Sequence, residues 1–346
     1  METVGSLATD NPLKGGSLRG TVGSLSLSPA IPARVFVVPY RNRAQHKFFF
    51  SKYMSFLLEN DTDYEIYFSH QCDNRTFNRG ATKNIGFLAV KQKYPDHYQD
   101  MTFVFHDVDT LPFNKIFTYQ TTPGVVAHYY GFQYALGGIV VIKGRDFETI
   151  GGFPCYWGWG MEDNVLQTRC LRHNLTIDRS QFYPIGSPHI LQLFDGVSRI
   201  ISQRDPLRSD RDEGVDGLTT LTHVTFVLQD TSLAPADNLF VVHNPRIHYI
   251  NITSFDTYVP FGVDAFYEYD LRDSDKQLRR PDPHTQTHRL VATPQDWTRI
   301  QVKPTQREQR KQQLAHLLRT GQKLPPKLVA QIRTDQANAL REDPYA

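Results

Sequence analysis

Two short stretches carry side chains that could do chemistry. "HDVD", residues 106–109, sets Asp107 and Asp109 two positions apart, so that on an extended segment both carboxylates project to the same side. Paired hard oxygens of this kind hold a divalent cation together with substrate phosphate oxygens. "WGWGMEDN", residues 157–164, packs two of the chain's three tryptophans beside Glu162 and Asp163. A core would take the tryptophans but not the charges, and a solvated surface would take the charges but not the tryptophans. A cleft for a polar ring-shaped ligand uses both: Trp159 as a flat apolar wall, the carboxylates as acceptors for hydroxyls. Either carboxylate has its pKa pushed up by the other, which suits a general base. The plainer reading is a Trp-anchored turn leading into an acidic helix N-terminus, where carboxylates complement the dipole.

The elements around these stretches are legible from periodicity. "RVFVVP" from Arg34 reads as a buried strand stopped by Pro39, "AQHKFFFSKYMSFLLEN" as a helix and "YEIYFS" as a second strand. "ATKNIGFLAVKQKY" reads as a second helix and "MTFVFHDVD" as a third strand, completing the strand–helix alternation of an α/β unit with a parallel sheet. Ligands of such sheets bind beyond the carboxyl ends of the strands, where the aspartates fall. Two further polar clusters occupy strand ends: "PYRNR", with Arg41 and Arg43 suited to a diphosphate, and "FNRGATKN", with Phe77 able to stack on a base and Arg79 following. Later strands are expected at "GGIVVI", "HVTFVLQ", "LFVVH" and "RIHYINI", with a helix over 162–173 between them and a charged loop over 195–216.

Composition narrows the class. The 346 residues are 40% apolar and 12% aromatic with a formal charge of +2, which suits a large globular core and gives no electrostatic reason to expect nucleic acid. No apolar run reaches the length of a membrane helix, and no signal peptide is evident. Three cysteines are too few for a disulfide framework, so a soluble protein of a reducing, cytoplasmic compartment is expected. Residues 1–32, rich in Gly and Ser and containing "TVGSL" twice, read as a flexible tail; 33–255 read as the folded domain, 256–303 as an irregular extension and 304–346 as a basic helical hairpin for oligomerisation or docking.

In order and spacing, "PYRNR", "FNRGATKNIGF", "FVFHDVDTLPF", "GGIVVIKGRDFETIGGFPCYWGWGMEDN" and "DGLTTLT" resemble the β-1,4-galactosyltransferase family over residues 34–252. The resemblance implies an α/β GT-A fold and an inverting, Mn²⁺- or Mg²⁺-dependent transfer of a sugar, galactose first, from a UDP-sugar to a hydroxyl of a sugar acceptor. By position it implies that Pro39, Arg41, Arg43, Phe77, Arg79, Asp107 and Val108 line the donor site and that Asp109 ligates the metal. Trp159 would contact both sugars, Glu162 and Asp163 would bind the acceptor, and Asp163 would be the catalytic base. This chain departs from the family pattern at Asn164, where a third acid is usual, and in its metal-binding histidine, for which His189 in "GSPHILQLFD" is the nearby candidate. It also carries Ala135 and Leu136, with Tyr134 a step earlier, where the family has a donor-selecting aromatic. The family's animal members are membrane-anchored and disulfide-bonded, so a bacterial or large-virus relative is expected. The rival from another class is a glycan-binding or structural protein that kept the fold without turnover.

Overall fold

A computed structural model describes residues 9–10, 17–22, 31–73, 75, 77–157, 160–193, 199–202, 209–210, 212–257, 288–291, 316 and 319. In chain order the elements are β1 (Thr9–Asp10), β2 (Ser17–Val22), β3 (Arg34–Tyr40), α1 (Ala44–Leu57), β4 (Tyr64–Gln71), α2 (Arg79–Lys93), β5 (Thr102–His106) and β6 (Thr110–Pro112). Then come β7 (Val125–Gly131), β8 (Ile139–Lys143), α3 (Gly144–Thr149), α4 (Glu162–Arg172), β9 (Thr176–Asp178), β10 (Tyr183–Pro184) and β11 (Ile190–Gln192). The last are β12 (Arg199–Ser202), β13 (Thr222–Gln229), a 3₁₀ turn over Pro235–Leu239, β14 (Ile247–Asp256) and β15 (His288–Val291).

Among the described residues, one mixed sheet runs in the order β1-β2-β13-β14-β4-β3-β5-β8-β7-β10, with β9 beside β7. Strands β14, β4, β3 and β5 are mutually parallel, as the strand–helix alternation requires. Beyond β5 the direction changes, because β8 pairs antiparallel to β5 and β7 antiparallel to β8. The parallel strands are buried on both faces: β4 is buried along its whole length. One cluster around Val35, Val37, Phe87, Phe103 and Phe105 packs one face, and another around Phe36, Val38, Phe50 and Phe68 packs the other. That is why these strands read as continuous apolar runs rather than alternating ones.

Several expectations need correction. Pro39 does not stop β3, which runs on to Tyr40; the ladder with β5 ends at Val37, so Pro39 leaves no partner on that side wanting its missing N–H. Residues 17–22, assigned by composition to a flexible tail, form β2, parallel to β13, with Leu18 packed on the core. Gly20 allows this, since a Cβ there would run into the Phe226 ring. "LFVVH" is no strand: it follows the 3₁₀ turn as irregular chain, and Leu239, Phe240 and Val241 are exposed. Within the extension over 256–303, His288–Val291 pairs antiparallel with Arg199–Ser202. Residues 292–346 form a separate unit in which the described His316 and Arg319 are helical; the rest of the expected hairpin lies outside the described residues. No helix of the described residues is long and apolar enough to cross a membrane.

The charged stretch before "DGLTTLT" is also more than a solvated loop. Asp212 takes a bidentate pair from Arg169 of α4, Nε to Oδ2 at 2.9 Å and Nη2 to Oδ1 at 2.6 Å. The same guanidinium donates to the Gly152 and Asp216 carbonyls. Arg169 is almost wholly buried, so removing it takes the bidentate partner from a buried carboxylate and leaves it Arg172 at 3.6 Å. Arg169→Met is expected to lower unfolding free energy by about 3 kcal/mol in urea titrations, a buried ion pair losing one partner.

Candidate active site

The site is assembled where the carboxyl end of β5 meets the amino ends of α2 and α4. Helix α2 starts here because Asn78 caps it, its Oδ1 accepting from the Ala81 N–H at 2.9 Å. It docks against the segment that leads into the Trp-rich turn. Asn78 Nδ2 donates to the Cys155 carbonyl at 3.0 Å, and Asn84 exchanges two hydrogen bonds with the Phe153 backbone, at 2.7 and 2.9 Å. Gly80 meets the Pro154 carbonyl where no Cβ would fit. This docking leaves Arg79 and Lys83, one turn apart, facing the start of α4.

Arg79 is the hub. Its Nε and Nη2 grip Asp107 at 2.7 to 3.1 Å, while Nη1 donates to Glu162 at 2.7 Å and to both oxygens of Asp163 at 2.8 Å. Burial opposes its charge, but Asp107 and then Asp163 and Glu162 outweigh that and raise its pKa well above the usual value. Lys83, almost wholly buried, adds a contact from Nζ to Asp163 Oδ1 at 3.2 Å. Burial works against ionising Asp107 too, yet the Arg79 guanidinium prevails and holds this carboxyl below its ordinary value. Glu162 goes the other way, raised by burial and by Asp163. Its Oε2 is buried and makes no hydrogen bond. Three carboxylates face two cations here, so Glu162 is the one suited to hold a proton.

Asp163 keeps 21% of its side chain exposed, against 6% for Glu162, so it is the more accessible acid. Its position is set from three sides. The Leu136 N–H donates to its carbonyl at 2.9 Å, and Gly137 lies so close to the carboxylate that any side chain there would collide with it. Behind Gly137, buried His128 reaches the Gly137 and Tyr130 carbonyls through Nε2, while Nδ1 accepts from Arg179 at 3.0 Å. Helix α4 itself begins from Met161, held at φ 71° in the left-handed region. Strain of this kind in a non-glycine residue collects at functional sites.

The other sequence candidates are distributed differently from expectation. Asp107 and Asp109 do not act as a pair on one extended segment, because a turn intervenes; Asp109 meets Arg43, with Nη1 to Oδ2 at 2.9 Å. Arg79 is spent on carboxylates rather than left open toward a donor. Arg41 donates to the Arg75 carbonyl and lies 3.7 Å from Asp73. Phe77 is half-buried, Pro39 is buried within β3, and Val108 is packed into the core, leaving its backbone for any ligand contact. Trp159 lies outside the described residues. Trp157 is no cleft wall: it is 5% exposed, stacks on Phe255 with ring centroids 5.5 Å apart, and carries the Arg75 guanidinium 4.6 Å from its ring.

His189 and Asp109 are not brought together. Strand β11 pairs antiparallel with β6 so that the Leu193 N–H donates to the Asp109 carbonyl and the Phe113 N–H to the His189 carbonyl. His189 therefore stands four residues along from the position opposite Asp109, about 13 Å at strand spacing. Among the described residues no cluster of three or more His, Cys, Asp or Glu could hold a metal ion. The hard oxygens of Asp109 do suit a divalent cation completed by phosphate oxygens.

Sequence reading missed Lys83, Asn78, Asn84 and Gly137. The spacing of Arg79 and Lys83 on one helical face was the available signal for Lys83. A second omission is the support beneath "PYRNR": the Arg43 N–H donates to the Tyr40 hydroxyl at 3.3 Å, and that hydroxyl donates to buried Asp237 in the 3₁₀ turn. Lys47 of α1 binds the Asp237 carbonyl, and Ser232 Oγ donates to its carboxylate at 2.9 Å.

A mixed sheet with two acids just beyond the end of its third parallel strand is the arrangement of the GT-A glycosyltransferase fold. Solved structures agree. The catalytic domain of Drosophila β-1,4-galactosyltransferase 7 in complex with xylobiose superposes with a TM-score of 0.52 at 20% identity, covering 69% of this chain and 98% of that one. A mutant of that protein in complex with manganese, UDP-Gal and xylobiose gives 0.51 at 19%, covering 68% and 96%. Residues 29–122 match the family model described as the N-terminal region of glycosyl transferase group 7, and 124–191 the model described as the N-terminal domain of galactosyltransferase. β-1,4-Galactosyltransferase 4 of Cricetulus griseus is 30% identical over 238 residues, 65% of this chain and 63% of that protein. Two adjoining family models and these relatives make the chain similar to the β-1,4-galactosyltransferases. It spans between 38% and 63% of the length of the curated relatives it matches.

The register of β6 and β11 makes His189 dispensable for a cation at Asp109. His189→Ala is expected to leave Mn²⁺ affinity, measured by calorimetry with UDP present, within about twofold of wild type, whereas loss of a metal's supporting partners costs about tenfold or more.

Proposed function

We propose that the chain is an inverting hexosyltransferase that moves a sugar, galactose first, from a UDP-sugar to a hydroxyl of a carbohydrate acceptor. The observation that carries this reading is Asp163: a partly exposed carboxylate fixed by Arg79, the same guanidinium that fixes the end of β5. Arg79 and Lys83 take up three of the contacts its two oxygens can accept, which leaves room for one from an acceptor hydroxyl. In the transfer the acceptor O–H breaks and its proton passes to Asp163. The freed oxygen bonds to the anomeric carbon from the face opposite UDP, and the bond from that carbon to phosphate oxygen breaks with its electron pair leaving on UDP. Glu162 stands beside this path, and protonated it donates to the acceptor rather than competing for its proton.

On the donor side, Arg41, Arg43 and Phe77 lie at the ends of the parallel strands, where a nucleoside diphosphate binds in open sheets. Asp109 would hold a divalent cation, Mn²⁺ or Mg²⁺. When bound, the cation supplies positive charge for the diphosphate as it departs. Trp159 is assigned the wall on which the sugars rest. The similarity to β-1,4-galactosyltransferases supports both the donor class and the metal, as does the neighbouring Drosophila structure, which holds manganese, UDP-Gal and xylobiose. Three free cysteines support a reducing, cytoplasmic setting.

A screen of UDP-sugars against a glycan panel, with Mn²⁺ and released UDP as readout, tests the activity. UDP-galactose is expected to turn over. Asp163→Asn is expected to lower the transfer rate by about 10²- to 10⁴-fold, the range for loss of a general base, while UDP affinity is kept. Carbohydrate binding with no turnover from any donor in the wild type would favour the non-catalytic reading.

A further inference from the structure

Lys83 is a costly residue for its place. Its ammonium is 2% exposed, stands 4.3 Å from the centroid of the Phe153 ring, and shares its surroundings with the Arg79 guanidinium. Burial and then Arg79 push its pKa down, against the pull of Asp163, Asp107 and Glu162. A helix face needing only to pack would carry Leu or Met here, which bury without desolvating a charge. What the lysine has in return is the face of the Phe153 ring and one charged partner, Asp163, with Nζ 3.2 Å from Oδ1.

We infer that Lys83 is a positioning residue of the transfer reaction, holding the Asp163 carboxylate in the orientation that accepts the acceptor's proton. This rests on Asp163 being the base. The groups facing Asp163 are Arg79 and Lys83 from α2, Glu162 from its own helix, Asp107 at the end of β5 through Arg79, and His128 of β7 behind Gly137. Burial, and then Arg179, hold His128 neutral with its pKa pushed down to about 4, so it contributes no charge near neutrality. Arg79 cannot be removed without releasing three carboxylates. Lys83 is thus the cation on Asp163 that can be changed without freeing the other two acids.

In Lys83→Gln kcat for transfer is expected to fall by about 10²-fold, the cost of misplacing a reacting group, with KM kept within about twofold. In Lys83→Arg, which keeps a cation facing Asp163, kcat is expected to recover. A second readout needs no turnover: in ¹⁵N-lysine spectra the Lys83 resonance is expected to titrate below the exposed lysines, and to move lower still in Asp163→Asn, where its carboxylate partner is gone. An unchanged kcat in Lys83→Gln would overturn the inference. So would a Lys83 titration that Asp163→Asn leaves unmoved, and this decides the matter should Lys83→Gln not fold. A wild type without transfer overturns the proposed activity itself, separately from the Lys83 titration, which reads the contact directly.

Discussion

The arrangement depends on one buried guanidinium satisfying three carboxylates. Arg79 belongs to α2, Asp107 to the end of β5, and Glu162 and Asp163 to the first turn of α4. Glu162 is buried and Asp107 and Asp163 only partly open to water, so each alone would be costly to ionise, and together they would repel. Arginine fits because its planar fork offers five donors in fixed directions and stays charged when buried. A lysine at 79 could not grip Asp107 with two nitrogens and still reach α4. The glycines nearby follow from the same constraint: Gly80 lets α2 close on the chain before the Trp-rich turn, and Gly137 lets the β7–β8 connection close on Asp163.

The charge arrangement also separates two acids that look equivalent in sequence. Glu162 and Asp163 are neighbours at a helix start, yet one is buried with an oxygen lacking a partner and the other is clasped by two cations and partly open. Burial and the neighbouring Asp163 favour the protonated form of Glu162, while Asp163 keeps its oxygens on two cations. Direction along the chain decides this: consecutive residues in a helix point about 100° apart, and only one of them reaches the opening.

Much of the fold was legible because β3, β4 and β5 are short apolar runs separated by helices of ordinary length, a pattern that leaves few alternatives. The site was legible where it is local: "HDVD" closes an apolar run that forms a strand, and "MED" opens a helix. What escaped was non-local. Nothing near Arg169 announces Asp212, 43 residues on, and nothing in "LFVVH" says that the preceding turn spends itself binding Tyr40 and Lys47. The motif alone could not say that Trp157 is a core ring, because that depends on its stacking partner Phe255, far along the chain. His189 misled because nearness in sequence carries no information about strand register, and a four-residue offset places a side chain beyond reach.

The clamp on the Arg43 loop closes with a residue that arrives late. The Tyr40 hydroxyl and the Lys47 ammonium both bind Asp237, respectively 197 and 190 residues further along the chain. Strand β14, which completes the sheet beside β4, comes later still. During synthesis the first strand–helix units leave the ribosome long before either exists, so buried Lys47 and the unclamped loop must wait while most of the domain is translated. The loop that carries Arg43 is therefore braced only once the 3₁₀ turn has been made, late in synthesis.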